Sequence, residues 1–200
     1  MKLLNKIILG ISDTHDASAA IIQNGKILHA VAEERVQRVK SAGGFPKGAI
    51  KECLENTNLT LSDIDYVAVA GTRAVPVNML GITSTLSLQD YLTVQEKIRK
   101  PKFYENKDVS FSSVFPHYKP KGETYYSIKD IPLKEFSQLN SEEKKKVAEY
   151  RLNFIATETK KDISKIFFLD HHLCHIYYGY YASPFRGDKV AAISLDGGGD

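Results

Sequence analysis

The chain has 200 residues, a 42% hydrophobic content and a formal net charge of +3, a size at which one domain buries on the order of 70% of its unfolded surface. Acidic and basic residues are nearly balanced, which argues against direct binding of nucleic acid and against a polybasic membrane patch. No run approaches the roughly 18 apolar residues of a membrane span. The two cysteines, Cys53 and Cys174, form no spacing motif and favour a reducing compartment, so we expect a cytoplasmic protein that does not enter a membrane.

Three strands are predicted at the start of the chain, over residues 6–11, 17–23 and 26–33. Asn24 and Gly25 give the second and third strands a two-residue hairpin turn. These features together predict an antiparallel meander.

The connection between the first two strands consists of small and polar residues, among them Ser12, Asp13 and His15. No bulky side chain blocks the approach of a ligand. This composition suits a loop around a phosphate-bearing nucleotide, with Ser12 and Asp13 as its candidate contacts, but it is also typical of an ordinary turn.

A stretch dense in charge, residues 32–40, follows the third strand. A solvated strand edge is the simplest interpretation, although Arg35 and Lys40 would also supply the cations that anionic phosphates need. A helix over residues 47–56 and a strand over 66–70 come next, which predicts a β-β-β-α-β order.

The character of the sequence changes between about residues 75 and 159, where lysine, glutamate, serine and tyrosine increase and continuous apolar runs are few. Two amphipathic helices are predicted there, over residues 88–98 and 140–156, and the second opens with an Asn-x-x-Glu cap. We interpret the region as a partly helical insertion into a single lobe, whose core comprises residues 1–74 and 160–200.

Two histidines near the end of the chain have metal-ligand spacing. Residues 163–169 are predicted as a buried strand, and Asp170 as the N-cap of the helix that follows. In a helix His171 and His175 would lie on one face, because positions i and i+4 are surface neighbours. Such pairs also occur by chance as structural histidines, and we expect His172 to point elsewhere.

Another apolar strand is predicted over residues 190–195, followed by Asp196 and three glycines that include Gly197 and Gly198. The glycines would let the backbone approach a phosphate closely, and the carboxylate of Asp196 would be able to hold a cation. An apolar strand that meets a small polar loop thus occurs at both ends of the chain. Paired halves of this kind are typical of the actin-like ATPase fold, a ribonuclease H-like architecture. We therefore expect an α/β lobe with a mixed sheet, in a chain that stops as its second half begins.

Ordered motifs at both ends of the chain resemble a known family. In chain order they are LGI at 9–11, HDASAA at 15–20, GKI at 25–27, EER at 33–35, FP at 45–46, AI at 49–50, DHHLCH at 170–175, YASPF at 181–185 and LDG at 195–197. They resemble the N-terminal part of the O-carbamoyltransferases of nodulation-factor and antibiotic-tailoring pathways, which are related to the threonylcarbamoyl transferases that modify tRNA. Cys174 and Ile176 depart from the small residues usual at their positions but leave the histidine pair intact.

In that family a separate C-terminal domain makes carbamoyl adenylate from carbamoyl phosphate and ATP, and the actin-like domain passes the carbamoyl group to a hydroxyl of a sugar or antibiotic. The resemblance implies a divalent metal ion such as Fe²⁺ on His171 and His175, with Asp196 beside the metal and the adenylate phosphate. It places His15 and Lys40 at the carbamoyl and acceptor end, and we take His15 as the base. The adenylate-forming domain is not expected within these residues, so the chain alone should not complete the reaction.

Other functions stay open at this point. An ATP-dependent phosphotransferase of the same fold would use Asp196 and the glycines for phosphate, but it has no need of the histidine pair. A subunit of a tRNA threonylcarbamoylation-type complex would act as a scaffold, although the near-neutral charge argues against direct RNA contact. A binding domain without turnover is the third alternative. The sequence fixes neither the acceptor nor the assembly, for which a homodimer is one option.

Overall fold

The structure, a computed structural model, describes residues 5–14, 16–40, 42–72, 87–116 and 139–196. A five-stranded sheet lies at its centre, with the strand order β3-β2-β1-β4-β5. The strands are β1 (Ile7–Ser12), β2 (Ser18–Gln23), β3 (Lys26–Ala32), β4 (Tyr66–Ala70) and β5 (Ile166–Leu169). β1, β2 and β3 pair antiparallel, whereas β1, β4 and β5 are parallel. The expected α/β class with a mixed sheet is therefore confirmed, and the actin-like assignment within that class stays a prediction.

Seven α-helices are present in the described residues: α1 (Glu33–Gln37), α2 (Lys47–Thr57), α3 (Leu88–Val94), α4 (Lys100–Tyr104), α5 (Phe111–Val114), α6 (Ser141–Thr159) and α7 (His171–Tyr181). A π-helical turn, Gln95–Arg99, joins α3 to α4, and 3-10 turns at Leu61–Asp63 and Ile163–Lys165 precede β4 and β5. In the part of the chain described above, no helix combines the length and apolar character that crossing a bilayer requires.

The predicted turn and helix cap are confirmed in detail. Asn24 and Gly25 have φ angles of 52° and 74°, the left-handed conformation that a two-residue hairpin turn requires at both positions. At the start of α6, Oδ1 of Asn140 accepts from the backbone N–H of Glu143 at 2.9 Å. The Glu143 carboxylate accepts in turn from the backbone N–H of Asn140, also at 2.9 Å, which completes a capping box.

One face of the sheet is buried because apolar side chains alternate along its strands with a period of two. The strands contribute Leu9, Ile11, Ala19, Ile21, Val67 and Val69 to a single core cluster. Ala49, Ile50 and Cys53 of α2 join this cluster, as the periodicity of that helix predicts, and so does Ile155 of α6. α2 and α6 therefore cover the same face of the sheet.

The opposite face of the sheet carries small side chains. Gly10, Ser12, Ala20, Ala68 and Ala70 line an open cavity of about 530 Å³ on this side, together with other residues of the strands. Cys174 of α7 lines the same cavity, so α7 lies on this side of the sheet.

The predicted strand over residues 190–195 is wrong for this structure. The segment has no regular secondary structure, and the side chains of Ile193 and Leu195 are 84% and 93% exposed. A strand is stabilised by hydrogen bonds to a neighbouring strand, and the sheet described here contains only β1 to β5.

Two predicted element boundaries also need correction. Residues 163–165 form a 3-10 turn rather than the start of β5, because the Asp162 carboxylate accepts from the backbone N–H of Ser164 at 2.9 Å. The helix predicted over 88–98 changes to a π-helical turn after Val94 and continues to Tyr104. Pro101 lies just beyond that turn, and a proline ring disturbs the carbonyl one turn before it.

The division into a core and an insertion over residues 75–159 stays a prediction. The structure does show where the last helix of that region lies, since Val147 and Ile155 of α6 are buried and Phe154 packs edge-on against Phe45. Consequently one face of α6 packs against the core.

Candidate metal centre

α7 begins directly after β5, at the carboxyl end of a parallel strand. The Asp170 carboxylate accepts from the backbone N–H of Leu173 at 2.8 Å, which makes Asp170 the predicted N-cap. Helical spacing then brings the rings of His171 and His175 to a centroid separation of 4.6 Å, nearly perpendicular to each other. The predicted placement of this pair on one helical face is therefore observed.

Three potential ligand atoms converge beside α7. Oδ2 of Asp196 lies 2.8 Å from Nε2 of His171 and 3.3 Å from Nε2 of His175. The two Nε2 atoms are 3.1 Å apart. Octahedral and tetrahedral sites with bonds of about 2.1 Å separate neighbouring ligand atoms by roughly 3.0 to 3.4 Å. Two of the three separations fall in this range and the third, 2.8 Å, is slightly shorter, so the three atoms are close enough together to bind one divalent ion.

The donor set also fits a transition metal. Two imidazoles and one carboxylate are the ligands of non-haem Fe²⁺ sites that keep open positions, and the same donors suit Zn²⁺. His171 is partly buried, while His175 and Asp196 are exposed. A metal held here would therefore keep coordination positions accessible to a ligand from outside.

His172 fixes the segment that carries Asp196. Its Nδ1 atom lies 2.9 Å from Oγ of Ser194, two residues before Asp196. His172 is therefore not one of the three clustered residues, and its contact with Ser194 ties the segment before Asp196 to the first turn of α7. No local pattern singles out Ser194, because its pairing with His172 depends on how an irregular segment folds back.

The carboxylate of Asp13, predicted to contact a nucleotide, is buried and bound by an arginine. Nε of Arg151 donates to Oδ2 of Asp13 at 2.7 Å, and Nη2 donates to Oδ1 at 2.5 Å. Sequence reasoning missed Arg151. The available signal was its position on α6, four residues from both Val147 and Ile155, where a charged residue interrupts the apolar stripe.

Of the remaining predicted site residues, the structure describes Ser12, Arg35 and Lys40. Ser12 ends β1 and lines the cavity that Cys174 also borders. Arg35 and Lys40 are exposed, and Arg35 lies 3.5 Å from Glu34 in a surface ion pair. His15, Gly197 and Gly198 fall outside the described residues.

Glu33 is a buried carboxylate that the sequence did not single out. It accepts from the backbone N–H groups of Gly48 at 3.0 Å and Ala49 at 2.6 Å, at the N-terminus of α2. Gln37 donates to the same carboxylate at 2.6 Å. The positive end of the α2 dipole is therefore neutralised from within the chain, and α1, which carries Arg35, is fixed to α2.

Comparison with known proteins agrees with the resemblance. The sequence profile of the family described as Carbamoyltransferase N-terminus matches residues 7–200. The uncharacterized protein sll1178 of Synechocystis sp. is 28% identical over 198 residues, which cover 96% of this chain and 26% of that protein. Nodulation protein NolNO of Sinorhizobium fredii is 25% identical over 186 residues, which cover 93% of this chain and 20% of that protein. The uncharacterized protein MJ1051 of Methanocaldococcus jannaschii is 40% identical over 65 residues, 32% of this chain and 12% of that protein.

The similarity to the first two relatives runs along nearly the whole chain, yet the chain spans about a quarter or less of their length. The family profile covers residues 7–200 and so includes both the loop after β1 and the three converging residues. On this match, the chain belongs to the carbamoyltransferase family, as its N-terminal part.

Proposed function

We propose that this chain is the acyl-transfer part of an O-carbamoyltransferase, which moves a carbamoyl group from carbamoyl adenylate to a hydroxyl of a small-molecule acceptor. The observation that carries the proposal is the convergence of His171, His175 and Asp196 within a chain of this family. The cluster lies beyond the carboxyl end of β5, where open α/β sheets commonly bind ligands.

His171, His175 and Asp196 would hold a divalent ion, with Fe²⁺ favoured by the two-histidine, one-carboxylate set. When bound, such an ion supplies Lewis-acid stabilisation for a developing oxyanion. The exposed side of the cluster would receive the adenylate phosphate and the carbamoyl carbonyl. The tie between His172 and Ser194 would hold Asp196 in place for this task.

The transfer step forms one bond and breaks one. The acceptor oxygen attacks the carbamoyl carbon, the bond from that carbon to the phosphate oxygen of AMP breaks, and the hydroxyl proton passes to a base. We assign the base to His15 and the stabilisation of negative charge at the acceptor end to Lys40. Proton acceptance by a positioned side chain typically contributes about 10²- to 10⁴-fold.

We also assign nucleotide contacts to residues of this chain. Ser12, the last residue of β1, is one of them. Asp13 follows it, but its carboxylate is buried against Arg151, so only its backbone is proposed as a contact. Gly197 and Gly198 would bring backbone N–H groups to the phosphate, while Arg35 would add a cation from α1. These assignments would make nucleotide affinity sensitive to substitution of Ser12, Arg35, Gly197 or Gly198.

Formation of carbamoyl adenylate from carbamoyl phosphate and ATP would be the task of a separate adenylate-forming domain. The acceptor is proposed as a hydroxyl of a sugar, nodulation-factor or antibiotic-like molecule. The chain as it stands would then bind the metal but need the adenylate-forming domain for turnover.

Metal analysis of the purified full-length protein tests the proposal. One tightly bound divalent ion per chain is expected, with loss of that ion in His171→Ala and retention in His29→Ala. His29 lies on β3 near Glu52 and outside the three-atom cluster, so it controls for the removal of an imidazole.

A carbamoyl-transfer assay with carbamoyl phosphate, ATP and a panel of hydroxyl acceptors completes the test. The His171→Ala protein should lose transfer together with its metal. ATP-dependent phosphorylation of the acceptors by both proteins, without carbamoyl product, would replace the proposal by the phosphotransferase alternative.

A further inference from the structure

Arg151 is a charged residue in the core of the lobe. Its side chain is only 5% exposed, and that of Asp13 is fully buried. The two residues are 138 positions apart in the chain, so the pair links α6 to the loop after β1. A buried guanidinium is tolerated when its donors are satisfied, and apolar residues of similar volume often stabilise a core equally well. Stability alone therefore does not explain the presence of this pair.

The guanidinium binds the ends of neighbouring parallel strands. Its Nε and Nη2 atoms donate hydrogen bonds to the two carboxylate oxygens of Asp13, the first residue after β1. Its Nη1 atom donates to the carbonyl of Gly71, the first residue after β4, at 3.0 Å. Its carbon Cζ lies 4.6 Å from the ring centroid of Phe168 in β5. One side chain thus contacts β5 and the exits of β1 and β4.

These contacts lead directly to the metal-binding helix. The backbone N–H of Gly71 donates to the carbonyl of Leu169 at 2.8 Å, at the end of β5. Asp170 and His171 follow Leu169 and begin α7. Arg151 is therefore connected through Gly71 to Leu169, two residues before α7 begins.

Backbone hydrogen bonds to residues 42–44 also hold the loop after β1. The carbonyl of Thr14 accepts from the backbone N–H of Gly44 at 2.9 Å, and the N–H of Ala17 donates to the carbonyl of Ala42 at 2.8 Å. The chain on both sides of position 15 is therefore anchored, by Arg151 and residues 42–44. A loop fixed in this way has a defined position relative to α7.

We propose that Arg151 is a positioning residue, whose guanidinium sets the loop after β1 against the metal-bearing helix α7. The inference rests on the proposed carbamoyl transfer, in which the loop and α7 face the same reacting group. The planar guanidinium is needed because one side chain must donate to two carboxylate oxygens and a carbonyl at fixed angles. A lysine ammonium does not have this geometry.

The test compares Arg151→Lys with Arg99→Lys in the full-length protein. Arg99 is an exposed arginine in the π-helical turn and serves as the matched control. For Arg151→Lys, kcat of carbamoyl transfer per folded molecule should fall on the order of 100-fold, the effect of a displacement near 1 Å. KM for carbamoyl phosphate and the bound metal should stay unchanged, and Arg99→Lys should match the wild type.

A second variant covers the case in which Arg151→Lys does not fold. Arg151→Met combined with Asp13→Asn contains no buried charge at this pair, so it is expected to fold. It should show the same loss of kcat, since the link from the loop to Gly71 is absent. Folded protein of either variant with the wild-type kcat would overturn the proposal, because the pair would then be purely structural.

Hydrogen exchange separates this inference from the proposed function. In Arg151→Lys, or in the double variant if only that one folds, the amides of Ala17 and Gly44 should exchange at least tenfold faster than in the wild type. If the wild type transfers no carbamoyl group, the proposed function fails while faster exchange still supports the positioning of the loop. Unchanged exchange at both amides contradicts the positioning role whatever the enzyme does.

Discussion

Oδ2 of Asp196 lies 2.8 Å from Nε2 of His171, although 25 positions separate the two residues in the chain. The contact joins an irregular, exposed segment to the first turn of α7 and creates a three-atom cluster with His175. Asp196 is brought there in part by Ser194, which lies 2.9 Å from Nδ1 of His172. Metal affinity should therefore depend on a serine that is not itself a ligand.

Ser194→Ala should lower metal affinity about tenfold, because residues that orient a metal ligand typically contribute 10- to 100-fold. Asp196→Asn removes a charged ligand and should lower the affinity further. Titration of metal-stripped protein with Zn²⁺ by calorimetry measures both effects. Ser164→Ala, a serine of the 3-10 turn before β5, is the control and should bind Zn²⁺ as the wild type does. Equal affinity of Ser194→Ala and the wild type would show that the tie has no role in metal binding.

A pair of Gly→Ala substitutions tests the packing of Glu33. A Cβ atom added to Gly48 would lie 2.8 Å from both Oε1 of Glu33 and Cγ1 of Val36, so the buried carboxylate would have to move. Gly48→Ala should destabilise the protein by about 1 to 3 kcal/mol. At Gly179, on the exposed side of α7, a Cβ atom meets nothing within 4 Å, and alanine should stabilise by roughly 0.5 to 1 kcal/mol. Urea unfolding of the two variants should show shifts of opposite sign, and a stabilising Gly48→Ala would contradict the packing described.

The ion pair between Lys6 and Asp65 predicts a dependence of stability on pH. The hydrogen bond from Lys6 at 2.6 Å and that from the backbone N–H of Ile7 lower the pKa of Asp65 below its usual value. A carboxylate with a lowered pKa in the folded state adds stability above its unfolded pKa, and this contribution is lost as the pH falls through the folded pKa.

Wild type should therefore be more stable than Asp65→Asn at pH 7, and the difference should shrink as the pH falls below about 4, the unfolded pKa of an aspartate. The difference in stability is measured from the urea unfolding midpoints of the two proteins between pH 7 and pH 3. A difference that stays constant over this range would mean that the charge of Asp65 is not the source of its contribution.

Cys53 should be chemically inert in the folded protein. It is fully buried, and its burial raises the pKa of the thiol to about 11. Since the thiolate is the reactive species, an aromatic disulfide reagent at pH 8 should label Cys53 only after unfolding in urea. Mass spectrometry of labelled Cys174→Ala protein isolates this site. Rapid labelling of native protein would show that the core around α2 opens readily.

Local patterns predicted the elements whose structure depends on near neighbours. The Asn24-Gly25 turn and the histidine pair of α7 are fixed by residues within a few positions of each other. The contact between Arg151 and Asp13 was not predictable in this way, because it depends on how α6 packs against a loop 138 positions earlier. The strand predicted at 190–195 failed for a related reason, since apolar content favours a strand but pairing with a neighbour forms it.

The most direct test of a metal-dependent carbamoyl transfer is the rate of full-length protein that has been stripped of metal and then titrated with Fe²⁺. Transfer should be absent in the stripped protein and should return in proportion to added Fe²⁺ until one ion is bound per chain. The His175→Ala protein should stay inactive at the same Fe²⁺ concentrations. Transfer at the full rate by stripped wild-type protein would contradict a role for His171, His175 and Asp196 in the reaction.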